Sequence, residues 1–180
     1  MDKHNEIEFK TMLTHSEYEH LLQAYPSPSY TQKNIYLDTP DGYYHQQKIG
    51  CRIRIKNDAY EFTLKKPTSN DTTEESNWAL TETEFREFQR TGSIQPDWLH
   101  LPAALVAIGE IETTRTEHPF RSGQLMIDCS KFYGMIDYEL EFEVSDHTEG
   151  QQDFHQFLAL HQLPFRPAKK KLVRMLEASK

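Results

Sequence analysis

The chain has 180 residues, 37% of them hydrophobic and 27% charged, with a net charge of −8; this is the composition of a globular domain that can bury a core, not of a disordered chain. The acidic balance argues against a nucleic-acid or anionic-membrane surface, which needs a basic excess, although it leaves room for a local basic site. No apolar run approaches the roughly 20 residues that span a bilayer. The opening "MDKHNEIEF" has no signal-peptide core, and Cys51 and Cys129 lack a metal-type spacing. A reduced, cytoplasmic protein of one domain, residues 1–180, is the expectation; its oligomeric state is not readable.

In chain order, "NEIEFK" alternates charge and bulk with period two, a strand signal. In "THSEYEHLLQAY", Tyr18, Leu21, Leu22 and Tyr25 fall on one helical face, and Pro26 ends the helix. "KNIYLDT", "IGCRIRIK" and "AYEFTLKK" read as strands, the last two joined by turn residues. "DGYYHQQ" reads as a hairpin, with a tunnel rim as the alternative. "PTSNDTTEESN" reads as a polar loop. "WALTETEF" starts as a strand and passes into a short helix ending near Gly92, and "PAALVAI" reads as another short helix. Three more strands follow, "GEIETTRTEH", "QLMIDCSKF" and "IDYELEFEV". Two helices close the chain, over "EGQQDFHQFLALHQL" and "AKKKLVRMLEAS". The fold class is α+β, with a large antiparallel sheet.

The parity of the charges carries the functional information. Glu6, Glu8 and Lys10 share one strand face, opposite Ile7 and Phe9. Arg52, Arg54 and Lys56 share another, opposite Cys51, Ile53 and Ile55. Lys65 lies opposite Phe62 and Leu64, and Asp128 opposite Leu125 and Ile127. Glu139, Glu141 and Glu143 lie opposite Leu140, Phe142 and Val144. Glu82 and Glu84 share a face, as do Thr113, Arg115 and Glu117.

Such a sheet can pack one face on helices and turn the other to water. Yet the polar sides of "EIEFK", "RIRIK" and "ELEFE" are almost purely ionic, and successive blocks differ in sign. The sharper reading is a sheet that closes into a barrel with the ionic face inside and amphipathic helices outside. Arginine and lysine donors suit phosphate oxygens. Clustered carboxylates repel one another unless a hard divalent cation such as Mg²⁺ or Mn²⁺ lies between them. A polyphosphate with such a cation satisfies both halves of the lining.

"EIEFK" resembles the ExExK signature of the CYTH superfamily, the triphosphate tunnel metalloenzymes, which include class IV adenylyl cyclases, thiamine triphosphatases and inorganic triphosphatases. The resemblance continues in order through "YLDT", "CRIRIK", "TLKKP", Glu82, "TTR", "MIDCSKF", "YELEFEV" and "AKKKLVR", almost the whole chain. It implies an eight-stranded antiparallel closed β-barrel with a charged lumen and helices packed outside. It also implies metal ligands at Glu6, Glu8, Glu139 and Glu141, with Glu82 and Asp128 binding metal or holding basic residues. Triphosphate-binding roles fall to Lys10, Arg52, Arg54, Lys65, Arg115 and Lys169. Lys170 and Lys171 blur the last register, and Ala168 stands where the family has serine. Glu143 fits the tunnel mouth or plain solvation equally.

The implied activity is metal-dependent hydrolysis of a triphosphate, with Glu6, Glu8, Glu139 and Glu141 at the catalytic centre and Mg²⁺ or Mn²⁺ as cofactor. The expected partner is a triphosphate-containing small molecule, with neither nucleic acid nor membrane. A metal-bound water or a carboxylate serves as the base. ATP cyclisation is the alternative activity, and a non-catalytic polyphosphate-binding module is the alternative from another class. His155, His161 and the two cysteines read as packing or surface residues.

Overall fold

The computed structural model describes residues 1–96 and 103–180. Strand β1 (Asp2–Leu13) leads into helix α1 (His15–Ala24). Thr14 accepts a hydrogen bond from the Glu17 amide while Glu17 reaches back to the Thr14 amide, and this reciprocal cap fixes where the helix begins. Strand β2 (Ser29–Asp38) ends at the four-residue helix α2 (Tyr43–Gln46). The buried Asp38 carboxylate accepts from the amides of Thr39, Tyr44 and His45, which makes α2 a fixed shelf where a hairpin was expected. Strands β3 (Gly50–Lys56) and β4 (Ala59–Pro67) join through Asn57 and Asp58, both at positive φ, as a two-residue hairpin requires.

Strand β5 (Thr72–Leu80) follows, then helix α3 (Glu82–Thr91) and the two-residue β6 (Ser93–Ile94). Long β7 (Leu105–Phe120), β8 (Gly123–Phe132) and β9 (Met135–Val144) form a meander, followed by α4 (His147–Leu160) and α5 (Lys171–Ala178).

Two sequence expectations are corrected here. Most of "PTSNDTTEESN" is strand: β5 begins at Thr72, and its register sets Lys65 opposite Glu75 and Lys66 opposite Glu74. Ion pairing across the ladder holds a segment that carries no apolar alternation. The helix expected over "PAALVAI" is absent at Leu105–Ile108, which belong to β7 and pair with β2 and β6; Pro102 lies outside the described residues.

Every neighbouring pair in the order β2-β3-β4-β5-β1-β9-β8-β7 is antiparallel, and β7 returns to pair with β2, closing an eight-stranded barrel; β6 adds a short edge beside β7. The α+β fold with helices outside is the one the charge parity predicts. Ile7, Phe9, Leu125, Ile127, Leu140 and Phe142 form the outer wall of β1, β8 and β9, covered by α1 and α4 through Tyr18, Leu21, Phe154 and Phe157. Cys51, Ile53 and Phe62 form the outer wall of β3 and β4, covered by α3 through Phe85 and Phe88. Cys129 packs partly buried against the first cluster, so both cysteines face away from the lumen.

A third cluster lies within the barrel. Tyr36, Ile111 and Phe132 are in step with the polar lumenal positions of β2, β7 and β8, and Met175 of α5 packs among them. Gly109 makes room: a Cβ there would meet the Met175 Sδ and Cε at 2.6 Å. Helix α5 therefore lies across one end of the barrel, with Leu172 against the same cluster.

Candidate active site

The strands that close the barrel put their charged faces into a cavity of about 670 Å³. Strand β1 contributes Glu6, Glu8 and Lys10, β3 contributes Arg52 and Arg54, β4 contributes Lys65, β7 contributes Arg115 and β9 contributes Glu141. The shelf at α2 adds His45 and Lys48 to the rim, and the start of α5 adds Lys170 and Lys171.

One part of the lumen is electrostatically closed. Asp128, Glu139 and Glu141 bring carboxylate oxygens within 4.8 Å of one another, all three residues buried. Lys171 Nζ reaches Asp128 at 2.9 Å, Glu139 at 2.8 Å and Glu141 at 2.5 Å. Arg115 grips Asp128 through the Nε and Nη2 edge of its guanidinium, at 2.8 and 2.6 Å, and Nη2 also donates to Glu141. Arg174 donates to Asp137 at 2.7 Å and to Glu139. Burial opposes the charge on each of these groups. Burial raises Glu139, whereas at Glu141 Lys171 and then Arg115 overcome burial and hold the carboxyl well below its ordinary value. Lys171 and Arg115 are held well above theirs by the same partners, against the desolvation that would lower them.

The rest is unevenly matched. Lys65 sits between Glu6 and Glu75, 2.6 Å from each, and Lys10 donates to Glu8 at 2.9 Å. Burial would raise Glu75, but Lys65 and Arg52 bring it down to about 2. Among the described residues Arg52 has no close acceptor: Glu75 is 3.8 Å away, and Nε and Nη2 are buried without a hydrogen-bond partner. Arg54 is pushed down to about 10, first by neighbouring Arg52, then by burial, with Arg115 adding to the repulsion. This wall is short of negative charge.

Near β1 the imbalance has the opposite sign. Glu143 of β9 is the direct cross-strand neighbour of Glu8. Its carboxyl is raised by burial and by the charges of Glu6 and Glu8. Lys170, facing the same space, is lowered by burial and by Lys10 and Lys65.

The structure moves two residues out of the expected set. Glu82 is the first residue of α3, outside the barrel, exposed and paired with Arg86 at 2.5 Å. The lumenal strand glutamate is Glu75, set directly opposite Lys65 on the β4–β5 ladder. Lys169 points outward to Glu177, 2.6 Å away, because the backbone turns into α5 at Lys170; Lys170 and Lys171 take the lumenal places. The remaining expected residues, Glu6, Glu8, Lys10, Arg52, Arg54, Lys65, Arg115, Asp128, Glu139 and Glu141, all belong to the lumenal face. His161 meets Tyr25 through a 2.7 Å hydrogen bond in the outer packing, and His155 is exposed.

Over residues 4–176 the sequence matches the profile of the CYTH domain. It is 33% identical over 184 residues to the candidate triphosphatase YjbK of Bacillus subtilis, covering 98% of this chain and 97% of that protein. Among solved structures it is similar to a candidate adenylate cyclase from Bacillus halodurans, with a TM-score of 0.88 at 28% identity over 97% of this chain and 98% of the other. The fold also matches HpAC1 from Hippeastrum, with a TM-score of 0.76 at 18% identity over 96% and 95% of the two chains.

Proposed function

The chain belongs to the CYTH domain family, and from that premise we propose that it hydrolyses a linear triphosphate, inorganic tripolyphosphate foremost, with Mg²⁺ or Mn²⁺. The observation that carries this reading is the crowded wall of Arg52, Arg54 and Arg115, where Arg52, burial and Arg115 push Arg54 down and two buried Arg52 donors have no acceptor among the described residues. A polyanion supplies the missing acceptors and charge.

In this reading Arg52 and Arg54 bind phosphoryl oxygens, with Lys10, Lys65 and Lys170 along the chain of phosphates. Arg115 is already held on Asp128, so it presents a fixed edge and loses little freedom on binding. Glu6, Glu8 and Glu143 are the carboxylates that suit a hard cation: all are oxygen donors, Glu8 and Glu143 are cross-strand neighbours with Glu6 two residues along β1, and Glu143 is raised by burial and by the charges of the other two. The cation, when bound, neutralises charge developing on the transferred phosphoryl group and lowers the pKa of a water. The residues of the chain position the substrate and keep it extended; covalent chemistry is not asked of them.

The cavity lining favours a substrate with no organic group to read. Among the described residues its aromatic side chains are Tyr36, buried, and His45 on the rim. Tyr36 is covered, which leaves His45 as the one open ring among the described lining residues, so water is favoured over a ribose hydroxyl as nucleophile. YjbK carries a triphosphatase name and the Bacillus halodurans relative a cyclase name, and both outcomes are separable by assay. Phosphate release from tripolyphosphate should depend on Mg²⁺ or Mn²⁺ and stop on chelation. Glu8→Gln should lower turnover at least 100-fold with the far-ultraviolet spectrum unchanged. Cyclic nucleotide formed from ATP without release from tripolyphosphate would reverse the order of the two activities. Tight triphosphate binding without either would make the protein a binding module.

A further inference from the structure

The three carboxylates that lie within metal-coordinating distance of one another, Asp128, Glu139 and Glu141, do not fit a divalent ion. Each of their six oxygens already receives a cationic donor. Asp128 Oδ1 takes Arg115 Nε, and Oδ2 takes Arg115 Nη2 and Lys171. Glu139 divides its oxygens between Lys171 and Arg174, and Glu141 between Lys171 and Arg115. Lys171 spends two of its three N–H donors on Glu139 and Glu141 and pairs with Asp128 at 2.9 Å. The three carboxylates, with Asp137 at their edge, thus meet Arg115, Lys171 and Arg174 in a space nearly closed to solvent: the Asp128 and Glu139 side chains are fully buried and that of Lys171 is 11% exposed.

We propose that Lys171 is the resident cation of this triad, and that the triad is a cage that fastens α5 across the end of the barrel, not a metal site. Lys171 is the first residue of α5. Its neighbours on that helix, Leu172 and Met175, pack into the lumenal apolar cluster, with Met175 seated over Gly109. Arg174, one turn on, is pinned to Asp137 and Glu139 of β9. A divalent ion could enter only by expelling Lys171 into a lumen already crowded with arginines, and that displacement would drag the first turn of α5 off its apolar seat. A buried charge is held by the partners that face it, and removing one partner leaves the others uncompensated. Divalent ions are thereby confined to the Glu6, Glu8 and Glu143 side of the cavity, and α5 stays in place whether or not they are bound.

Mn²⁺ alone is the probe, followed by electron paramagnetic resonance, with amide exchange of α5 as a second readout. In the unsubstituted protein, saturating Mn²⁺ should leave exchange of the α5 amides unchanged. Asp128→Asn should leave Mn²⁺ affinity within about twofold, and Lys171→Gln should gain one further bound Mn²⁺ together with faster α5 exchange. Faster α5 exchange on adding Mn²⁺ to the unsubstituted protein would overturn the proposal. So would a tenfold loss of Mn²⁺ affinity in Asp128→Asn, or a folded Lys171→Gln that gains no ion. The first arm needs no substitution, so it decides the matter even if a variant misfolds.

Discussion

Arg52 and Glu75 face each other across 3.8 Å with unequal resources: Glu75 also has Lys65, whereas the buried Arg52 Nε and Nη2 find no acceptor among the described residues. Removing the two side chains should therefore show up in different measurements. Arg52→Met should raise the Michaelis constant for tripolyphosphate by roughly 10- to 150-fold, the value of one charge-assisted contact at about 1.5–3 kcal/mol. Because Arg52 shares with Lys65 the task of holding Glu75 down, thermal stability should fall less than it does on loss of Glu75 itself. Glu75→Gln should instead cost stability, about 2 kcal/mol near neutral pH, the worth of a hydrogen bond to a charged group. The sign with pH follows from the depressed carboxyl. Its contribution is complete above the ordinary value of 4.5 and disappears as pH falls towards about 2. Urea unfolding of both proteins should show a constant gap at neutral pH that closes between these limits; a gap that widens on acidification would contradict the assignment. Parity alone identified most of the lumenal charges, because side-chain direction on a strand alternates strictly. Glu75 escaped because its strand is polar on both faces and looks like a loop. The motif alone points to Lys169, and only the turn of the backbone into α5 sends Lys170 and Lys171 into the lumen and leaves Lys169 outside.

At the scale of elements, α1 and α4 were legible from the 3.6-residue recurrence of aromatic and aliphatic residues, and each is buried on the expected side. Short elements were less so. "LVAI" carries no periodicity that separates a buried strand from a helix turn, and its pairing with β2 decides the matter. The role of α5 was hidden for a different reason: an amphipathic helix announces that one face is buried, but not that it is buried inside a barrel. Gly109 is the residue that makes this seat possible. Gly109→Ala brings a methyl into the space of the Met175 thioether and the Tyr133 hydroxyl, at 2.6 and 2.7 Å. Overpacking of this kind costs typically 1–3 kcal/mol. Limited proteolysis should then cut earlier at the C-terminal segment than elsewhere, while α1 and α4 stay protected; uniform cleavage would mean that α5 is not separately seated.

For the molecule as a whole, closure follows from the sequence through charge sign. Acidic β1 and β9 and basic β3 complement one another only if the ionic faces converge. A lumen of like and unlike charges held at close range also makes stability depend on what fills it. Tripolyphosphate with Mg²⁺ at 100 times its dissociation constant should add about 2.7 kcal/mol, a rise of roughly 5–10 °C in melting temperature for a domain of this length. High salt should shrink that rise, and an absent shift would exclude the lumen as the binding place.

The ring order has a further consequence, in time. Strand β1, made first, is bracketed by β5 and by β9, and β2 must wait for β7. During synthesis the N-terminal strand therefore has an unpaired edge for most of the chain's length, and such edges invite association with other chains. What that strand presents meanwhile is Glu6, Glu8 and Lys10, a charged face that discourages neighbours from adding to it. Residues that later line the cavity thus first act as chaperones of their own strand, and folding, governed by pairings so distant in sequence, is expected to be slow and to finish with β9.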